Sequence, residues 1–169
     1  MRSEEILQRV DHTLLKPDAS WESIVRLCEE AEEYHTASVC IPPSFVKRVR
    51  ERFEGLVICT VIGFPLGYSV TAVKAAEAAQ AVSDGADEVD MVVNITVLKD
   101  HRYEAVEAEI RTVKEACQGR ILKVIAETCY LTEEEKIAVC RAVTNAGADY
   151  IKTSTGFGTA GATIEDVRL

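Results

Sequence analysis

A lysine and an aspartate occupy matching places in two stretches of this sequence. Gly85-Ala86-Asp87-Glu88-Val89-Asp90 is echoed by Gly147-Ala148-Asp149-Tyr150-Ile151-Lys152. In each, a glycine ends a helix, an Ala-Asp turn follows, and a short apolar strand carries a charge at its third position. Placing a charge in a strand is costly. Two charges at equivalent positions therefore predict that Asp90 and Lys152 face one interior. A lysine held there can attack a carbonyl and form an imine, but only as the free amine. An ordinary lysine, with a pKa of ~10.4, is deprotonated about once in a few thousand at neutral pH. Desolvation or a neighbouring cation must bring it down, and reaching about 7 takes ~4–5 kcal/mol of disfavoured charge. Tyr150 and Ile151 are expected to wall Lys152, and Thr153-Ser154-Thr155-Gly156 to supply hydrogen-bond partners. The other reading is a strand-end lysine that reaches solvent and pairs with an acid.

Lys123 is the candidate second cation. It lies two residues before Ile125 and four before Glu127, and such spacings share one face of a strand. If Glu127 faces the interior, Lys123 does too; otherwise Lys123 marks the entry of the strand, outside the chemistry. Asp11-His12 reads as a polar pair closing the first strand, structural ahead of catalytic. His35 and His101 flank helices in polar context and are expected at the surface. Gly156-Phe157-Gly158-Thr159-Ala160-Gly161 has the spacing of a dinucleotide fingerprint, which would suggest a nicotinamide-dependent reductase. That fingerprint usually sits in the first βα unit, not the sixth. The favoured reading is a flexible loop at the mouth of the fold whose backbone approaches a sugar phosphate.

These side chains need elements to position them. Tyr103, Val106, Ile110, Val113 and Cys117 recur at steps of three and four, the stripe of a helix closed by Gly119. Ser20 opens another, with Ile24, Leu27, Cys28, Ala31 and Tyr34 as its stripe. Thr132-x-x-Glu135 reads as a capping box and Gly147 as the stop of a third helix. Residues 71–83 form an alanine-rich helix ending near Gly85, and Pro42-Pro43-Ser44 starts a short one through Phe53. Between them, 37–41, 56–62, 88–93, 121–126 and 150–153 are too short and too β-branched for helices, and a sixth strand is expected around Val10. Apolar strands alternating with helices imply a parallel sheet covered by helices.

Polar residues end at least four of these strands: Asp11-His12, Asp90 with Asn94, Glu127-Thr128, and Lys152 to Thr155. A closed barrel gathers every strand end at one mouth, whereas an open sheet concentrates function at a switch point. The expected fold class is therefore α/β, a (β/α)8 TIM barrel. Eight units usually take ~250 residues. The 169 residues present predict the first six βα units plus a short N-terminal helix, in a single domain over 1–169. With six strands, the first and sixth are expected to be edges, and the chain to be unstable or to associate.

Composition narrows the function classes. The net charge is -9 with no basic stripe, which argues against nucleic acid. No apolar run approaches the ~20 residues of a membrane span. Met1-Arg2-Ser3-Glu4-Glu5 leads straight into a polar helix start and does not read as a signal peptide. Six cysteines (28, 40, 59, 117, 129, 140) contain no Cys-x-x-Cys pair. They argue against a zinc site or disulfide framework and for a reducing cytoplasm, each as a small buried hydrophobe.

Asp11-His12-Thr13-Leu14-Leu15-Lys16-Pro17, Glu88-Val89-Asp90, Lys123-Val124-Ile125-Ala126-Glu127-Thr128 and Lys152-Thr153-Ser154-Thr155-Gly156-Phe157 resemble the motif series of deoxyribose-phosphate aldolases, collinearly along essentially the whole chain. The resemblance implies that Lys152 forms a Schiff base and that Asp90 moves the protons that hydrate and dehydrate the carbinolamine. Lys123, Thr155 and Gly156 are the supporting or substrate-binding candidates. The implied reaction is reversible cleavage of 2-deoxy-D-ribose 5-phosphate to acetaldehyde and D-glyceraldehyde 3-phosphate. No metal and no organic cofactor is implied, because the protonated imine is the electron sink. The implied partners are sugar phosphates and aldehydes, with no nucleic acid and no membrane; homo-oligomerisation stays open. Members of that family continue past Arg168-Leu169 with a strand bearing a second active-site lysine in a Lys-x-x-Gly-Gly context, then a strand ending in serines. Neither occurs in these residues. The alternatives are an inactive barrel fragment serving as a structural or binding module, or a related Schiff-base lyase acting on another sugar phosphate.

Overall fold

The computed structural model describes residues 2–169. Of the polar start read at residues 1–5, Met1 lies outside the described residues. The elements run α1 (Ser3–Leu7), β1 (Asp11–Thr13), α2 (Trp21–Tyr34), β2 (Ser38–Ile41), a 3-10 turn (Pro43–Phe45), α3 (Val46–Arg52), β3 (Ile58–Ile62), α4 (Thr71–Ser83), β4 (Glu88–Val92), α5 (Ile95–Lys99), α6 (Tyr103–Ala116), β5 (Ile121–Ile125), a second 3-10 turn (Thr128–Tyr130), α7 (Glu133–Ala146), β6 (Tyr150–Lys152) and α8 (Ile164–Arg168). The six strands form one sheet in sequential order, and β1–β2, β2–β3 and β5–β6 pair in parallel. A doubly wound sheet reverses its order at a switch point; this one does not, which is the winding of a (β/α) barrel. Among the described residues, no helix is long and apolar enough to cross a membrane.

Caps set the helix boundaries. Ser20 Oγ accepts the Ser23 N–H at 3.2 Å to open α2. Thr132 and Glu135 exchange side-chain bonds for each other's backbone N–H, at 3.3 and 2.7 Å, to open α7. Gly147 closes α7 at φ 75°, a conformation that costs glycine little. The short helix expected from Pro42 begins instead as a 3-10 turn and becomes α-helical at Val46. Helix α5 was not expected. It opens on Asn94, whose Oδ1 accepts the Val97 N–H at 3.3 Å, so this polar strand-end residue is a helix cap.

Contacts divide the chain into two compact units. The first runs to Val61 and includes Gln80–Val89. Its core holds Ile24, Leu27, Cys28 and Ala31 of α2, with Val39, Cys40, Ile41, Ile58 and Cys59 of the strands. Here Asp87 of the first Gly-Ala-Asp turn donates its N–H to Ile58 O at 2.8 Å. Its Oδ2 accepts the Ile58 N–H at 3.0 Å and Arg50 Nη2 at 2.5 Å.

The second unit comprises Ile62–Ala79 and Asp90–Leu169. Helices α6 and α7 pack together, and Val106, Ile110, Val113, Val139 and Val143 are buried with Met91, Val92, Leu122 and Val124. Asp149, in the second Gly-Ala-Asp turn, repeats the role of Asp87. Its N–H donates to Leu122 O at 3.0 Å, and its Oδ2 accepts the Leu122 N–H at 2.7 Å and Lys114 Nζ at 2.5 Å. The echo in the sequence is thus a register device: in each copy the aspartate locks its strand to the strand before it. The residue three places on, Asp90 or Lys152, is delivered to the same position along its strand.

Candidate active site

Asp90 is 1% exposed and carries two cations. Its Oδ2 accepts a hydrogen bond from Lys152 Nζ at 2.5 Å, and its Oδ1 lies 3.6 Å from Lys123 Nζ. The β5–β6 register sets Lys123 opposite Tyr150 and Ile125 opposite Lys152. Residues two apart in a strand share a face, so both lysines leave the sheet on the same side. Lys123 therefore belongs to the cluster, although not by the route expected. Strand β5 ends at Ile125, and Glu127 is left-handed at φ 53°, so strand alternation does not extend to Glu127.

Lys152 is less enclosed than expected. Its side chain is 30% exposed, and Tyr150 and Ile151 are exposed and do not wall it. Among the described residues, β6 pairs with β5. The loop after β6 is organised by Glu127. Thr155 donates both its N–H, at 3.2 and 3.3 Å, and its hydroxyl to the Glu127 carboxylate, and accepts the Phe157 N–H at 3.0 Å. Thr155 thus serves as a strut of the loop. Gly156 is exposed, at φ 82°.

Loops 63–70 and 153–158 meet where the Phe64 and Phe157 rings pack edge to face, centroids 5.4 Å apart. A Cβ on Gly67 would come within 2.0 Å of Val93 O, so the approach of that loop to the end of β4 requires glycine. The sequence reading missed Glu127 as loop holder, and also Lys74. This fully buried lysine donates to Val92 O at 2.8 Å and to Glu109 Oε2 at 2.9 Å. Burial lowers its pKa, opposed by the Glu109 carboxylate. The signal was present: Lys74 falls on the stripe of Ala78 and Ala81, and Glu109 lies in that of Val106, Ile110 and Val113.

Asp11 accepts the Ser38 hydroxyl at 2.8 Å, and His12 Nε2 lies 2.8 Å from Glu30 Oε2 of α2, both ties within the first unit. His35 ends α2 in the left-handed conformation, and His101 Nδ1 meets the Tyr103 hydroxyl at 2.7 Å; both are exposed. Cys28, Cys40, Cys59 and Cys117 are buried, but Cys129 and Cys140 are only half-buried. Burial pushes the Cys28 and Cys117 thiols up to about 11, so they stay protonated. Asp11, Cys59 and Glu88 bring donor atoms within 4.8 Å of one another, the grouping in the first unit that a cation fits by distance. The Gly156–Gly161 run leads to α8, whose first turn is capped by Thr163 and Asp166.

A lysine hydrogen-bonded to a buried carboxylate, with a second lysine on that carboxylate, puts a candidate nucleophile, a proton acceptor and a second cation in one place. A model of the DeoC/LacD family aldolases matches residues 6–169. The deoxyribose-phosphate aldolase of Clostridium botulinum (strain Alaska E43 / Type E3) is 60% identical over 170 residues, taking in 100% of this chain and 77% of that protein. That of Clostridioides difficile (strain 630) is 56% identical over 167 residues, 98% of this chain and 76% of that one. Among solved structures, the tetrameric deoxyribose phosphate aldolase from Aeropyrum pernix superposes with a TM-score of 0.91 at 32% identity, over 97% of this chain and 70% of that one. Sharing more than half its residues with curated aldolases along its length, and folding as a solved one does, the chain belongs to the DeoC/LacD family of aldolases.

Proposed function

We propose that this protein reversibly cleaves 2-deoxy-D-ribose 5-phosphate to acetaldehyde and D-glyceraldehyde 3-phosphate. The observation that supports this is the convergence of Lys152 and Lys123 on buried Asp90. The second ammonium divides the negative charge of Asp90 between two cations. That weakens the hold of Asp90 on the Lys152 proton. As the free amine, Lys152 Nζ adds to C1 of the open-chain sugar. Asp90 takes the proton that the nitrogen sheds on addition and passes it to the carbinolamine hydroxyl, which leaves as water, and the protonated imine forms. Asp90, again a carboxylate, takes the C3 hydroxyl proton as the C2–C3 bond breaks and glyceraldehyde 3-phosphate leaves, and so holds the proton that the enamine next needs. The electron pair rests in the enamine on Lys152, which takes a proton and is hydrolysed to acetaldehyde and the free lysine. Gly156 and the loop around it receive the phosphate end of the sugar.

The site lies in the cytoplasm, where deoxyribonucleotide breakdown supplies such a sugar, and the subunits associate with copies of themselves. The test is incubation with acetaldehyde and borohydride: mass spectrometry should find an N-ethyl group on Lys152. Lys152→Ala and Lys152→Arg should both abolish turnover, the second because guanidinium stays protonated. An adduct on another lysine, or retro-aldol activity in either variant, would overturn the reading.

A further inference from the structure

Glu127 is a buried carboxylate in an unfavourable backbone conformation. It is 2% exposed, at φ 53°. A left-handed non-glycine residue costs of order 1–3 kcal/mol, and burying a charge without a counter-ion costs more. Among the described residues, no ammonium or guanidinium pairs with it. Its donors are neutral: the Thr155 N–H at 3.2 and 3.3 Å, the Thr155 hydroxyl, and Cys129 Sγ at 3.9 Å. Two of these three groups belong to the residue third after Lys152. The carboxylate also sets the fit of the loop's far side, since a Cβ on Gly158 would stand 3.1 Å from Glu127 Cδ and 2.9 Å from Cys129 Sγ.

The next residue holds the other end of the same connection. Thr128 N–H donates to Thr153 O at 2.9 Å, and Thr128 Oγ1 donates to Asp166 Oδ2 of α8 at 3.0 Å. Adjacent residues thus clasp the β6–α8 connection at Thr153, Thr155 and Asp166. Between those points Gly156 is exposed, at φ 82°, while the Phe157 N–H is taken up by Thr155 Oγ1.

We propose that Glu127 is a positioning residue for substrate recognition: through Thr155 it fixes the 153–158 loop so that Gly156 presents its amide to an oxyanion of the substrate. This rests on the reading that the substrate is a phosphorylated deoxy sugar bound at Lys152. In this role Glu127 acts on the loop through Thr155 and not on the reacting carbonyl, so its loss should weaken recognition and leave imine formation intact. Glu127→Gln keeps the shape but turns an amide N–H toward donors that need an acceptor.

The expected result is a KM for 2-deoxyribose 5-phosphate raised about tenfold, with kcat within about threefold and the Lys152 acetaldehyde adduct forming at the wild-type rate. Thr155→Val, which removes one donor and leaves the carboxylate, should shift KM the same way by a smaller factor. It reports on the clasp even if Glu127→Gln does not fold. Hydrogen–deuterium exchange provides a readout independent of turnover: residues 153–158 should exchange about tenfold faster in either variant than in wild type. Unchanged exchange in the loop, or an adduct rate that falls in step with recognition, overturns the proposal. A wild-type protein inert toward the sugar phosphate instead refutes the proposed substrate, and the exchange comparison still decides whether Glu127 holds the loop.

Discussion

Lys123 and Lys152 lie on opposite oxygens of one carboxylate, so their protonation states are linked. Asp90→Asn keeps the shape but loses both the charge and the proton transfer. Turnover should fall by roughly 10² or more while KM moves less, and steady-state kinetics that show equal losses would assign Asp90 a structural role. Lys123→Met removes the competing cation and leaves Asp90 to Lys152 alone. The acid limb of kcat/KM should then move to higher pH, because Lys152 no longer shares the charge of Asp90 with a second cation. A pH–rate profile that keeps its midpoint would place Lys123 outside the proton chemistry.

At the scale of elements, the two Gly-Ala-Asp turns set strand register and the Glu127-Thr128 clasp sets the path of the chain after β6. The far anchor of that clasp is acid-sensitive. The Lys136 ammonium, hydrogen-bonded to Asp166 at 2.5 Å, with help from Thr128 and Thr163, holds the Asp166 carboxyl at about 2, below its ordinary 3.8. The folded value lies below the unfolded one. The stability that this group contributes is therefore complete above about pH 4 and is lost as the pH falls toward 2. Thermal midpoints of wild type and Asp166→Asn should differ at neutral pH and converge over that window. Parallel curves across it would mean that the carboxylate contributes no stability through its charge. The expected alternation of β5 through Glu127 failed for an element-level reason: a single left-handed residue resets which way a side chain points, and no propensity scale marks it.

At the scale of the molecule, the buried Lys74–Glu109 pair joins α4 to α6 and, through Val92 O, to the end of β4. Removing one partner of such a pair typically costs ~3–5 kcal/mol, because the other charge is left buried and alone. Lys74→Met should lower the urea-unfolding free energy by about that amount, and Lys74→Met with Glu109→Leu should recover most of it. A single variant as stable as wild type would show that the pair adds nothing to the fold.

The sequence by itself determined the alternation of strands and helices, the caps at Ser20, Thr132 and Gly147, and the turning of Asp90 and Lys152 to one side, because each is carried by local periodicity or by a repeated motif. Tertiary structure decided what depends on neighbours distant in sequence. It brought Lys123 to Asp90, turned the donors of Thr155 toward Glu127 and made Asn94 a cap. The physical reason is that burial and hydrogen-bond partners are properties of the packed sheet: the same lysine or glutamate is a surface group or a buried one according to which strand lies next to it.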